Sequence, residues 1–532
     1  MCKGEQISSM RRTLPVTQVF EPLCLQPACS RDCDYLSGTS ESTRCMVDFF
    51  AFANPMDLPA VNFLLGLMAI ASLAATAAYS ETPDKIDQYI QSEMNRQHIP
   101  GLALGVYGAG RTERMQGYGV ANVELNVKVK PETIFQSGSV GKQFTAMGIM
   151  MLVEEGKIGL DDSILKYFPD GPSRWAPVKV SNLLSHTAGI AEYETEARTK
   201  PEGPFYLRLD NSEDELYRKI TELPMDFQPG ERWRYTNTNY VLLGMMIHRV
   251  TGKFYGDFLA ERIFRPLEMT ATRIISEEDI IPNRASGYRL VKGELKNQEW
   301  VSPTYNTTAD GALYFNVVDL AKWDGALYTE KLVRRASLDR MWTVFPLSDG
   351  KPNSGNYGFA WEVTSVNGHR VIDHGGAWQG FTSYIGRYVN DRLTIVVLTN
   401  LDSNHSNPSK IARGVAGLLN PELIPPFAHP IEDKDPQVTR LLSDVLSELA
   451  EGKGDPSAFT AKEWEELSME LSGYADFLKE LGPLQKLELL ERKEAGRERA
   501  YKYRATYKEP LKVEVTVSEA GKIANLEIDR EN

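Results

Sequence analysis

Strand-like runs at the two ends of one long stretch constrain this chain most. Early on, "LALGVYGAGRTERMQGYGVAN" carries two apolar-alternating runs around Gly108-Ala109-Gly110, a hairpin signal. Late on, "YGFAWEV", "HRVIDHGG", "GFTSYIGRYV" and "RLTIVVLTN" follow one another across short turns, as in an antiparallel meander. Between them, roughly from 150 to 345, helices mix with loops. The pattern predicts an α+β fold: an antiparallel sheet built from both ends, flanked by helices, with a helical region inserted. "TPDKIDQYIQSEMNRQHIPG" reads as an amphipathic helix that stops at Pro100-Gly101. "KQFTAMGIMMLVEEGKI" is apolar almost all round and should be deeply buried.

At 532 residues the chain is too long for one average domain. The proline-rich "NPELIPPFAHPIEDKDP" holds the expected linker, residues 425–436. It separates a main domain, 80–424, from a small α+β domain, 437–532, in which two helical patterns precede four strand-like runs. That domain shows no catalytic constellation. Net charge is −13 with no basic run, which argues against nucleic acid as a partner.

All five cysteines precede residue 46, and Cys24, Cys29 and Cys33 fit zinc-site spacing poorly. "FLLGLMAIASLAATAAYSE" is an uncharged apolar run ending in small residues, so 56–79 reads as a signal peptide and the chain as periplasmic or secreted. Left uncut, residues 61–78 would tether it to a membrane. Residues 1–55 then read as a mis-called start upstream of Met46 or Met56. N-terminal sequencing of the exported protein checks this; a mature start before residue 60 contradicts it.

Chemistry concentrates in "FQSGSVGKQFTAMG", where Ser139 and Lys142 stand three apart. Ser163/Lys166 and Ser348/Lys351 share the spacing, so context must choose. Ser348 lies in a turn cluster, and Ser163 follows two aspartates like a helix-capping residue. Ser139 instead enters the buried helix, one turn before Lys142 on the same face. A serine hydroxyl attacks well only if its proton is taken. A lysine does so if its pKa falls by about three units, ~4 kcal/mol against the ammonium form. Burial and a helix N-terminus both push that way. Read alone, the stretch fits a capping serine with a snorkelling lysine equally well.

Two further stretches add to it. "RWRYTNTNYVLLG" presents Tyr235 and Asn237 as a loop enters an apolar helix, able to relay a proton and orient an amine or substrate. "VIDHGGAWQGF" places His374, Gly375 and Gly376 between two strands, a donor beside an edge open to close backbone approach.

In this order, "SVGK", "YTN" and "HGG" resemble the serine β-lactamase and penicillin-binding protein superfamily, more closely its class C-like branch. That branch includes family VIII carboxylesterases, DD-peptidases and D-aminopeptidases. The resemblance covers roughly residues 84 to 420, with "GLDDSILKYFPD", "VSNLLSHTAGI" and "ADGALYFNVVDLAKW" looking like its connecting segments. It implies a serine hydrolase that forms an acyl-enzyme on Ser139, with Lys142 as base partner and Tyr235 as general base and acid. Asn237 would contact the substrate amide or Lys142, and the N–H groups of Ser139 and Ala377 would form the oxyanion hole. No metal or organic cofactor is implied. Histidine at 374 and glycine at 375 replace a lysine and a hydroxyl residue, so a substrate carboxylate would be held poorly. The expected substrates are small esters, amides or peptides. Alternatives are a D-amino-acid peptidase or DD-carboxypeptidase, a true class C β-lactamase, or a non-catalytic peptidoglycan-binding relative. An α/β-hydrolase is excluded, because no Gly-x-Ser-x-Gly elbow follows "HGGAW".

Overall fold

The computed structural model describes residues 84–530, save 109–110, 404, 425–428, 469–470, 496–497 and 509. The proposed signal run, the early cysteines, and the turn residues Ala109 and Gly110 lie outside the described residues. Among the described residues no helix is long and apolar enough to cross a membrane.

The main sheet is antiparallel and has seven strands: β1 (Gly101–Gly108), β2 (Arg111–Asn122), β3 (Val127–Lys128), β4 (Glu362–Val366), β5 (His369–Trp378), β6 (Phe381–Tyr388) and β7 (Leu393–Thr399). Their order is β3-β2-β1-β7-β6-β5-β4, so the two ends of the domain meet where β1 pairs with β7, Leu104 opposite Val397. The early hairpin and late meander therefore form one sheet, as the two-residue alternation requires. Ile395 and Val397 enter one core with Ile90, Met94, Ile411 and Val415; Val396 and Leu398 enter another with Phe144, Met147 and Trp323. Helices α1 (Lys85–Gln97) and α4 (Pro408–Leu419) thus cover one face. The other face carries α2 (Lys142–Glu154) and the inserted helical region, including α3 (Asn237–Thr251). A central strand covered on both faces is apolar throughout, as β1 is.

Two local readings need correction. "YGFAWEV" is a strand only from Glu362 onward, because Tyr357, Phe359 and Trp361 are buried in a preceding irregular segment. The helix of "TPDKIDQYIQSEMNRQHIPG" stops at Gln97, before Pro100, because His98 takes a left-handed φ of 57°.

The C-terminal domain has its own core. Helices α5 (Pro436–Ala450), α6 (Ala461–Leu467) and α7 (Leu471–Leu481) pack on a sheet of β8 (Lys486–Ala495), β9 (Glu498–Thr506), β10 (Pro510–Val517) and β11 (Ile523–Arg530), paired in sequence order. The second helical pattern read there is thus two helices.

Candidate active site

Ser139 stands on a single 3-10 turn, Gly138–Gly141, that leads directly into α2. Residues three apart eclipse one another in that geometry, which brings Ser139 and Lys142 together. The turn fits against the open edge of β5. Strand β4 stops pairing at Glu362 opposite Asp373, leaving residues 374–378 without a strand on that side. Two glycines permit the contact. Gly138 has a φ of 49°, and a Cβ on it would lie 2.4 Å from the Ala377 nitrogen. A Cβ on Gly376 would lie 2.4 Å from the Ser137 carbonyl oxygen. Gly376 is therefore small to admit the serine turn, whereas Gly375 faces open space.

Lys142 is fully buried. Its Nζ lies 2.8 Å from Ser139 Oγ and 2.7 Å from Asn237 Oδ1, and it also donates to the Asp310 carbonyl. Two of these partners are oxygens that only accept. An ammonium can donate to all three groups. A neutral amine keeps two donors and one lone pair, so it retains all three contacts only if the Ser139 hydroxyl donates to it. The arrangement thus provides a path for the serine proton. Burial lowers the Lys142 pKa to about 8, against the opposing pull of Asp310, Glu192 and Glu194.

Asn237 opens α3, and its amide is oriented from both sides. Its Oδ1 accepts from Lys142 and its Nδ2 donates to Glu194 Oε2 at 2.8 Å, while its backbone N–H meets Glu192. The Tyr235 ring centroid lies 4.9 Å from Lys142 Nζ. Its hydroxyl is buried, with Ser139 as its near polar neighbour. Burial raises its pKa well above the ordinary phenol value, with Ser139 offsetting part of the effect. Tyr235 is therefore a neutral phenol here, suited to donate.

His374 lies at the same edge with both ring nitrogens occupied. Nδ1 faces the Gly375 carbonyl at 2.6 Å, an acceptor, so it carries the hydrogen, and Nε2 accepts from the Tyr357 hydroxyl at 2.8 Å. Burial, followed by the charge of Lys142, drives the His374 pKa down to about 3. The ring is neutral and its donor is spent on its own backbone, so the free donor expected at this edge is absent. It supports Tyr357 instead, whose ring also packs 4.8 Å from that of His186. His186 in turn packs 4.2 Å from Tyr235, the rings tilted by 38°.

Ser139 and Ala377 border two cavities at once. One is a recess of about 30 Å³ with Glu194, Asn237, Asp310, Tyr305 and Trp378 in its walls. The other holds about 350 Å³ and includes Tyr235, Glu362, His374, Gly375 and Ser406. Among the described residues, no lysine or arginine lines either one. Nor does any group of three or more histidines, cysteines and carboxylates among them take metal-holding geometry.

The rival pairs do ordinary work. Ser163 caps a short turn by accepting from Leu165 N–H, and Lys166 pairs with Asp162 at 2.7 Å. Lys351 pairs with Asp349 at 2.9 Å. Sequence reasoning missed Glu192, Glu194 and Asp310, which come from loops without periodicity, and Tyr357, whose stretch resembled a strand.

A family model described as Beta-lactamase matches residues 86–419. Penicillin-binding protein 4* of Bacillus subtilis (strain 168) is 28% identical over 57% of this chain and 68% of its own length. A D-stereospecific amidohydrolase from Streptomyces sp. superposes with a TM-score of 0.53 at 27% identity, over 62% of this chain and 97% of that one. The octameric penicillin-binding protein homologue from Pyrococcus abyssi has a TM-score of 0.57 at 24% identity and covers 84% of this chain and 98% of its own. That last likeness is one of fold, and it reaches beyond the span of the family model. The matched span contains the serine turn, the start of α3 and the glycine edge alike, and by it this chain belongs to the beta-lactamase family.

Proposed function

We propose that this protein is a serine hydrolase that acylates Ser139 and cleaves small amides or esters bearing a free amino group near the reacting carbonyl. The observation that carries the reading is Lys142, buried, with a lowered pKa and a lone pair that only the Ser139 hydroxyl can fill. Neutral Lys142 takes the Ser139 proton as Oγ attacks the carbonyl carbon. The N–H groups of Ser139 and Ala377 receive the resulting oxyanion. Collapse of that intermediate breaks the bond to the leaving group, which takes a proton from the Tyr235 phenol or the Lys142 ammonium. Water then attacks the acyl-enzyme by the same route in reverse, and Ser139 regains its hydrogen.

The small recess supports the choice of substrate. The recess has room for an ammonium or one or two waters beside Ser139. Burial, with the charges of Asp310 and Glu192, raises the Glu194 pKa to about 8. A cationic substrate group would relieve that cost, whereas a carboxylate would meet Glu194 and Asp310 with no cation to offset them. The missing cation in the larger cavity weighs equally against a β-lactam or a peptide C-terminus. The similarity to a D-stereospecific amidohydrolase supports amides as the class.

Glu194→Gln tests this. It keeps the acceptor for Asn237 and removes a carboxyl group that an incoming ammonium would ionise. We expect kcat/KM for an amino-acid p-nitroanilide to fall about tenfold or more, and that for p-nitrophenyl acetate to stay within about twofold. Equal losses on both substrates would contradict recognition of the amino group.

A further inference from the structure

The wall of the larger cavity continues into the segment that joins β7 to α4, where Ser403, Ser406 and Asn407 line it. Adjacent side chains of this segment point to different partners. Ser406 Oγ turns to the sheet and lies 2.7 Å from Thr382 Oγ1 and 2.9 Å from Thr399 Oγ1, which are 2.6 Å from each other. His405 turns instead to the C-terminal domain. Its Nε2 lies 3.0 Å from Glu480 Oε2 on α7, and its Nδ1 lies 3.7 Å from Asp402. The His405 side chain is only 16% exposed.

The backbone at Glu480 is firmly placed, while its carboxylate is half exposed. Its neighbours Leu478 and Leu481 are buried in the C-terminal core. Its carbonyl accepts from Lys508 Nζ at 3.1 Å, and the Leu481 carbonyl accepts from the Lys508 backbone N–H. Asp402 and Glu480 both hold the His405 pKa above its ordinary value, Asp402 more strongly, against the opposing effect of burial.

We propose that His405 is a positioning residue: through Glu480 the C-terminal domain fixes the wall of the substrate cavity. This rests on the hydrolase reading above for its kinetic consequence, but not for its structural one. The domain that carries no catalytic constellation would then act on substrate binding without touching substrate. Because His405 contributes nothing to the reacting groups, its loss should leave the chemical step intact.

The test uses the full chain with His405→Ala, Glu480→Ala and the double variant. Hydrogen exchange of residues 401–409 should quicken about tenfold in each single variant. KM for an amino-acid p-nitroanilide should rise about fivefold, with kcat within about twofold and the double variant no worse than either single one. His405→Gln, which retains a donor for Glu480, should recover part of the KM. Unchanged exchange would overturn the positioning role even if KM moved. Quickened exchange with unchanged KM would overturn its link to the cavity, and additive KM effects would overturn the pairing. Burst acylation of the wild-type protein by an activated ester reads the hydrolase assignment separately.

Discussion

Ser139→Ala should reduce turnover of any acyl substrate by about 10⁴-fold or more while leaving the fold intact. The change removes one hydroxyl from a turn whose backbone is held by glycine contacts with Ala377 and Gly311, not by that side chain. Lys142 loses one of three partners and keeps Asn237 and the Asp310 carbonyl. Thermal unfolding should therefore shift by only a few degrees. Ser348→Ala should be silent in the same assay. Ser163→Ala should cost about 1 kcal/mol of stability through its lost cap, and no activity. A large activity loss in either control would show that the wrong serine has been assigned.

Lys142→Ala should cost nearly as much as Ser139→Ala, and the double variant should be no worse, because the two side chains act as one unit. The pH dependence distinguishes a base from a bystander. With a pKa of about 8, Lys142 is mostly protonated at pH 7 and mostly neutral above pH 9. The neutral form is the active one, so kcat/KM for a neutral ester should rise with pH through about 8 and level off above about 9. An ordinary lysine would still be gaining activity near pH 10. A profile flat from pH 6 to 10 would remove Lys142 from the proton path.

The sheet was legible because its alternation leaves the same mark at any distance. Val396 and Val397 face opposite cores whether or not their partners are 290 residues away in sequence. Ser139 and Lys142 were legible as a candidate pair because both lie in one short stretch, but choosing them over a capping serine took the stretches holding Tyr235 with Asn237 and His374 with Gly376 as well. The walls of the site were not. Glu194 meets Asn237 and the Asp310 carbonyl meets Lys142 across loops, and no local spacing encodes that. His374 shows a subtler limit. Its position at the strand edge was readable, but its hydrogens were not, because Tyr357 and the Gly375 carbonyl claim both ring nitrogens. Gly376 was readable as a point of close approach, although what approaches it is the serine turn.

One experiment bears on the central claim without a steady-state assumption. The protein is mixed with an activated amino-acyl or acetyl ester, quenched in acid within the first turnover, and digested for mass spectrometry. The account predicts an acyl group on the peptide containing Ser139, at Ser139 itself, and no adduct anywhere in Ser139→Ala. An adduct that survives in that variant, or a wild-type protein that turns the ester over without ever carrying one, would contradict it.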